Sequence, residues 1–318
     1  MNGIINNENE SSMKTLAGKV VWLTGASSGI GEALAIELAK EGCKIILSAR
    51  RENELKRVQQ LAGLDTENSL LLPLDLEKYD EFESIKTIAL QKFGRVDVLI
   101  NNAGISQRSL AIETSLEVDK RLMEVNYIGT VALTKTLLPQ FIKNKSGLIV
   151  TVTSAVGKIP SPWRSSYAAA KHALHGFFDS LRAECHQDGL RVLLVCPGFV
   201  ATNVSVNALT GSGGTTGKMD EATANGISAK QCAQRIISAI KAGNQEVVIG
   251  GIKEKFGVWM KRHFPSLFSV MIKDGCAVVT VLSPSDSVEY SLLKIHCQQF
   301  YSPYFHKREQ QFYAHDKT

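Results

Sequence analysis

Lys19 to Gly42 reads KVVWLTGASSGIGEALAIELAKEG. The opening KVVWLT is a short, mostly apolar run of strand length, the pattern of a strand buried on both faces. Gly25, Gly29 and Gly31 then break the chain at a spacing of Gly-x-x-x-Gly-x-Gly. EALAIELAKEG follows with apolar residues at helical intervals, and Gly42 closes it. Strand, glycine turn and helix in this order are the context a dinucleotide site needs, the alternative being a tight turn with no ligand. Glycines let the backbone approach a pyrophosphate, and a helix N-terminus offers unpaired N–H groups and the positive end of a dipole. Ser27, Ser28 and Ile30 complete the turn and are candidate cofactor contacts with the three glycines.

Outward from this stretch, apolar runs alternate with helical patterns. The runs are KVVWLT, KIILS, LLLPL, DVLIN, GLIVTV, RVLLVC and EVVIG. Seven strand candidates separated by helices predict an α/β chain with a doubly wound, parallel sheet of about seven strands and helices on both faces. At 318 residues and 44% hydrophobic content, one catalytic domain with tails fits the length better than two domains.

The chemistry is written in a second spacing. Tyr167 and Lys171 lie four residues apart, about one helical turn, so the phenol and the ammonium share a helix face. A free tyrosine titrates near 10, and a neighbouring ammonium favours the phenolate. Ser154 could hold a substrate carbonyl against the phenol. Together these groups form an acid/base device that interconverts an alcohol and a ketone. The chain carries its own control: Tyr290/Lys294 and Tyr313/Lys317 repeat the spacing. Thirteen residues before those tyrosines stand Ala277 and Phe300, with no hydroxyl, and neither pair opens a long apolar helix.

The ordered set of motifs resembles the short-chain dehydrogenase/reductase family in its non-extended form. The set is TGASSGIG at 24–31, Asp75-Leu76, NNAG at 101–104, Asn126 in MEVNYIG, Ser154, YAAAK at 167–171 and PGFVAT at 197–202. The resemblance covers about Leu16 to Ile272 and implies a Rossmann fold. It also implies a catalytic tetrad of Asn126, Ser154, Tyr167 and Lys171, in which Asn126 holds a kink and a water linking Lys171 to solvent. Lys171 would bind the nicotinamide ribose and lower the Tyr167 pKa. Asp75, with Leu76, would meet the adenine edge. Asn102, Ala103 and Gly104 would line the adenosine side. Pro197, Gly198, Val200 and Thr202 would lie at the nicotinamide, the last two reaching its carboxamide. Where relatives that prefer NAD carry an acid at the end of the second strand, this chain has Arg50, followed by Arg51. A guanidinium suits a 2′-phosphate, so the expected cofactor is NADP(H).

The 199–227 segment is rich in Gly, Thr, Ser and Asn. The resemblance makes it a mobile lid over the substrate, with Val204, Val206, Leu209 and Met219 as its apolar inner face. The wording NVSVNALTG…GKMDEATANG with KHALHGFFDSLRAE is most similar to the dehydrogenase/reductase member-7 branch, which implies an apolar or lipid-like carbonyl substrate. Residues 251–274 follow the 16–250 catalytic region and interleave aromatics with Lys and Arg, a pattern that suits a peripheral membrane contact through 251–272 and equally a packing on the domain or a subunit contact. The polar tail 1–15 lacks an apolar signal core, and Met13 offers an alternative start. Beyond about Gly275 the resemblance stops, and 275–318 is an atypical tail without clear period.

A net charge of +5, spread along the chain, gives no dense basic block for nucleic acid. Six cysteines without a Cys-x-x-Cys pairing read as reduced thiols of a cytoplasmic protein, associated at most with a membrane surface. No run reaches the length of a membrane span, and the histidine spacing predicts no metal site. A homo-oligomer is the family expectation. The rival readings are a 3-oxoacyl-thioester reductase on the same scaffold and an NADP(H)-binding regulator without turnover. The second would be signalled by a broken tetrad, and this tetrad is complete.

Overall fold

The computed structural model describes residues 13–273. The chain divides into a compact unit ending at Gly250 and a second unit beginning at Gly251. In the first, seven parallel strands form one sheet: β1 Val20–Thr24, β2 Lys44–Ser48, β3 Ser69–Leu71, β4 Val98–Asn101, β5 Gly147–Val152, β6 Leu190–Pro197 and, last in the chain, β9 Glu246–Ile249. Between β6 and β9, the two-residue strands β7 (Val200–Ala201) and β8 (Ile227–Ser228) pair with each other in parallel. The large sheet has the order β3-β2-β1-β4-β5-β6-β9. Strand order reverses between β1 and β4, so a crevice opens beyond their carboxyl ends, where ligands of doubly wound sheets bind.

The strands are buried on both faces, and alternate residues serve opposite cores. Val21, Leu23, Ile45, Leu47 and Ile100 face one apolar cluster. There they meet α1 (Gly29–Lys40), α2 (Glu52–Leu61) and α8 (Ala229–Lys241). Val20, Trp22, Ile46 and Leu99 face the other, against α3 (Phe82–Phe93), α5 (Gly129–Asn144) and α6 (Ser165–Glu184). Trp22 is wholly buried, and its indole N–H donates to Ser48 Oγ at 2.9 Å, so its one polar atom is satisfied. The short α4 (Leu116–Met123) precedes a π-helical stretch, Glu124–Ile128, that runs into α5. A four-residue α7 (Glu221–Ala224) lies inside the 199–227 segment.

All seven expected strands are present. LLLPL is shorter as a strand than its apolar run, because β3 ends at Leu71. Beyond it the edge continues through single bonds from Leu72 N to Leu47 O and from Leu74 N to Ala49 O, and the Pro73 nitrogen between them faces away from β2, where an edge strand tolerates a missing N–H. The second unit is described over two helices, α9 (Ile252–His263) and α10 (Pro265–Lys273). The expected 275–318 tail and both control Tyr/Lys pairs lie outside the described residues. Among the described residues no helix is long and apolar enough to cross a membrane.

Candidate active site

The glycine turn is locked to the NNAG segment after β4. Thr24 Oγ1 accepts from the backbone N–H groups of Asn102 at 3.0 Å and Ala103 at 3.1 Å. Asn102 Nδ2 donates to Thr24 O at 3.1 Å and Gly25 O at 3.3 Å. Gly25 has φ +65°, and a Cβ there would sit 2.8 Å from Ala103 Cα. A Cβ on Gly31 would sit 2.0 Å from Gly25 O, so the turn and the start of α1 close only with glycine. Ser28 caps α1 in extended conformation, and its side chain makes no capping bond. The hydroxyl and the helix N-terminus together are open to a ligand oxygen.

The far end of the crevice belongs to β2 and β3. Ala26 N donates to Ser48 O at 3.1 Å, which brings the glycine turn beside the end of β2. Arg50 and Arg51 follow, both exposed. Sequence reasoning passed over Arg57 on α2. It donates to Glu32 at 2.6 Å, Glu54 at 2.8 Å and Ser27 O at 3.2 Å, tying α2 to the turn. Asp75 Oδ1 accepts from Glu77 N at 3.2 Å, and a Cβ on Gly129 would sit 2.3 Å from Leu76 O. The start of α5 therefore presses directly against the Asp75-Leu76 loop.

At the other end, one cleft gathers Ile30, Asn102, Gly104, Ser154, Tyr167, Lys171, Pro197, Gly198, Val200 and Thr202. A Cβ on Gly29 would meet Thr202 Cγ2 at 3.2 Å, so the PGFVAT strand end lies against the glycine turn. Ser154 follows β5, and its Oγ accepts from Val156 N at 3.2 Å. The Ser154 hydroxyl lies in the same cleft as the Tyr167 phenol and is one of the groups that favour its phenolate. Lys171 is buried and donates from Nζ to Val152 O at 3.0 Å. Asn126 is fully buried behind them in the π-helical stretch. Its Oδ1 accepts from Ile105 N at 2.9 Å and its Nδ2 donates to Ile105 O at 3.0 Å, so the amide clamps the backbone on both sides of Ile105. Inserted π turns are common where helices carry functional groups.

The electrostatics differ from the simple expectation. Burial pushes the Lys171 ammonium down to about 8, with Cys196 opposing slightly. Burial pushes the Tyr167 phenol above its usual value. The opposing influences on Tyr167 are Arg164, the Ser154 hydroxyl and Arg108, not Lys171. Lys171 Nζ lies 5.7 Å from the centre of the Tyr167 ring, with its charge turned to Val152 O.

Arg108 and Arg164 line the same cleft, and neither stood out in the sequence. Both reach Asp220, the N-cap of α7: Arg108 donates to its Oδ2 from Nε at 2.8 Å and Nη2 at 2.6 Å, and Arg164 Nη2 lies at 3.5 Å. Burial opposes ionisation of Asp220, but the Thr223 N–H and the two guanidiniums hold its pKa below the usual carboxylate value. The expected inner face of the lid is only partly present. Leu209 is buried and packs with Val118, Leu122, Ile105 and Tyr167. Val204 lines the cleft but is 40% exposed, Val206 is half-buried, and Met219 is 42% exposed. The 199–227 segment is held by polar ties: Leu209 N donates to Ser106 O, Arg108 N donates to Leu209 O, and the β7–β8 pair closes its base.

Replacing Asp220 by Asn should undock this segment. Breaking a buried ion pair costs about 3–5 kcal/mol, and two guanidiniums would lose their countercharge. Deuterium exchange across 199–227 should rise sharply. The unmasked positive charge should also favour the Tyr167 phenolate, so any turnover that needs the protonated phenol should lose its alkaline limb at lower pH. An unchanged exchange pattern and pH profile would show that the carboxylate holds nothing.

Below Ser154 lies a cluster that the sequence reading did not foresee. His175, Cys196 and Glu246 bring one donor atom each within 4.8 Å of one another. Lys158 Nζ takes Glu246 at 2.5 Å, and Thr153 Oγ1 meets His175 Nε2 at 3.1 Å. Burial, then Lys158, pushes His175 down to about 4, and burial pushes Cys196 up to about 11. Both are neutral near pH 7 and support the floor of the catalytic helix.

This geometry, a glycine turn on one side of the crevice and a Ser-Tyr-Lys cluster on the other, is that of a nicotinamide-dependent oxidoreductase. Residues 19–212 match the short chain dehydrogenase family, and the chain belongs to the short-chain dehydrogenase/reductase family. Among its relatives, it is 43% identical over 269 residues to the dehydrogenase/reductase SDR family protein 7-like of Anopheles gambiae, covering 83% of this chain and 85% of that one. It is 49% identical over 201 residues to human dehydrogenase/reductase SDR family member 7, covering 62% and 59%. In structure it is similar to a short-chain dehydrogenase from Streptomyces avermitilis (TM-score 0.68, 26% identity, 81% of this chain and 96% of that one). It is also similar to an alcohol dehydrogenase from the archaeon Thermococcus sibiricus complexed with 5-hydroxy-NADP (TM-score 0.62, 27% identity, 74% and 97%).

Proposed function

We propose that this oxidoreductase interconverts a ketone or aldehyde and an alcohol with NADP(H), acting on an apolar, lipid-like carbonyl. The observation that carries the reading is the convergence of Ser154, Tyr167 and Lys171 on one cleft that also contains Ile30, Gly198 and Thr202. The residues fit the cofactor: the turn has no room for a Cβ on Gly25 or Gly31, and the α1 N-terminus is open beside it. Arg50, exposed at the end of β2, has no hydrogen bond or ion pair among the described residues, so its guanidinium is available to a 2′-phosphate. The structural neighbour from Thermococcus sibiricus binds an NADP derivative, which supports the same choice here.

When bound, the nicotinamide supplies or accepts the hydride. Ser154 orients the carbonyl oxygen toward the phenol. Tyr167 gives its proton to that oxygen, and its raised pKa keeps the phenol protonated at neutral pH, the form that reduction needs. Lys171, held by Val152 O, binds the ribose and replenishes the proton. Asn126 fixes the Ile105 peptide behind it.

The cleft wall is apolar at Ile105, Phe199 and Val204 and cationic at Arg108 and Arg164. A ladder of ketones of increasing alkyl length, assayed by NADPH oxidation, tests the substrate class. Each buried methylene is worth about 0.8 kcal/mol, so four more carbons can raise kcat/KM by up to about two orders of magnitude. Val204→Asp should flatten the slope. A ladder that is flat in the wild type, or highest for small polar ketones, removes the lipid-like assignment and leaves the oxidoreductase chemistry in place.

A further inference from the structure

The second unit presents an aromatic face that its own helices do not cover. On α9, Ile252, Phe256 and Trp259 fall within about 60° of one another at 100° per residue. Trp259 stacks on His263 with centroids 4.9 Å apart and lies 5.7 Å from both Phe256 and Phe264. Phe264 begins a second stripe that continues on α10 as Leu267 and Val270. Five of these six apolar residues are strongly exposed: Ile252 88%, Trp259 47%, Phe264 51%, Leu267 48% and Val270 55%. The inward residues are different ones, Met260 and Phe268, both buried.

Charge decides what covers this face. Lys255 and Arg262 are exposed on the flank of the α9 stripe, about 70° to 90° from its centre. Counting Lys253, Lys255, Lys261 and Arg262 against Glu254, residues 251–272 carry a net charge of +3. A second copy of the chain would bring the same positive charge against itself. An anionic surface would be attracted, and aromatic rings prefer the boundary between headgroups and acyl chains. We infer that the α9–α10 unit is a peripheral docking element for an anionic lipid bilayer, inserting the Ile252–Val270 face and pairing Lys255 and Arg262 with headgroup phosphates or carboxylates.

The test uses the full chain and vesicles of phosphatidylcholine with and without phosphatidylserine. The protein should co-sediment with the anionic vesicles, and the binding should weaken as salt rises. The double variant Lys255→Gln/Arg262→Gln should weaken partitioning by roughly 30-fold, taking about 1 kcal/mol for each basic residue at an anionic surface. Leu267→Asp should weaken it at least as much, while ketone turnover in solution stays unchanged. Brominated anionic lipids should quench part of the tryptophan emission, and Trp259→Phe should abolish that part while the variant still binds. The inference is overturned by equal binding to vesicles without phosphatidylserine, by Leu267→Asp binding as the wild type does, or by quenching that survives Trp259→Phe. Dissociation of a dimer by Leu267→Asp, without vesicle binding by the wild type, would instead assign the face to a second copy.

Discussion

Tyr167→Phe is expected to lower carbonyl reduction by a factor of about 10² to 10⁴, the usual worth of a positioned general acid. NADPH binding should be nearly intact, because the phenol supplies the proton and little of the cofactor affinity. Lys171→Met is the informative partner. It should abolish turnover and weaken NADPH binding, yet stabilise the fold. The Lys171 pKa is about 8 in the folded chain against an ordinary 10.5. Between those values the unfolded chain binds more protons than the folded one, so stability rises with pH across this window. Below pH 8 the full cost of burying the charge applies, up to about 3 kcal/mol, and methionine removes it. Turnover, NADPH dissociation constants and unfolding midpoints at pH 7 check all three statements. Near-wild-type turnover by Tyr167→Phe would end the assignment of the phenol. A lowered midpoint in Lys171→Met would mean that the buried ammonium is a support and not a cost.

Arg50→Asp should reverse the cofactor preference. Hydrogen bonds to charged groups contribute about 1.5–3 kcal/mol, so the wild type should favour NADPH over NADH by tenfold or more. Aspartate would repel the 2′-phosphate and accept from the ribose hydroxyls instead, a combined swing of about a hundredfold or more. The side chain is exposed and makes no hydrogen bond or ion pair among the described residues, so the substitution should leave folding undisturbed. The comparison is kcat/KM for each cofactor in both proteins. Equal use of the two cofactors by the wild type would remove the argument from the end of β2. A smaller response to Arg51→Asp would separate the two arginines, because Arg51 is the N-cap residue of α2 and feels Glu54.

The parts of the fold that were legible in the sequence are those fixed by local spacing. The Gly25, Gly29 and Gly31 turn could be read because a backbone that closes within 2.0 Å of a missing Cβ admits no other residue. The strands could be read because burial on both faces leaves unbroken apolar runs. Tyr167 and Lys171 are neighbours on one turn of α6. The electrostatic setting of the phenol was not legible, because it is assembled from distant segments. Asp220 is 112 residues from Arg108 and 56 from Arg164, and no local pattern announces that a lid carboxylate will meet two guanidiniums. The same holds for the His175, Cys196 and Glu246 cluster, which comes from α6, β6 and β9. The resemblance implied an apolar inner face for the 199–227 segment, but polar ties hold the segment, and of the four apolar side chains named for that face only Leu209 is buried.

The bonds from Asn102 and Thr24 to the glycine turn carry one more consequence. Three N–H groups of the NNAG segment are already committed to Thr24 and Gly25 before any ligand arrives. A loop that must freeze on binding loses about 1–2 kcal/mol of conformational free energy per residue. Here that loss is taken once, during folding, and not again at each catalytic cycle. Cofactor capture is thus a docking onto a prepared surface, with its entropy charged to the scaffold.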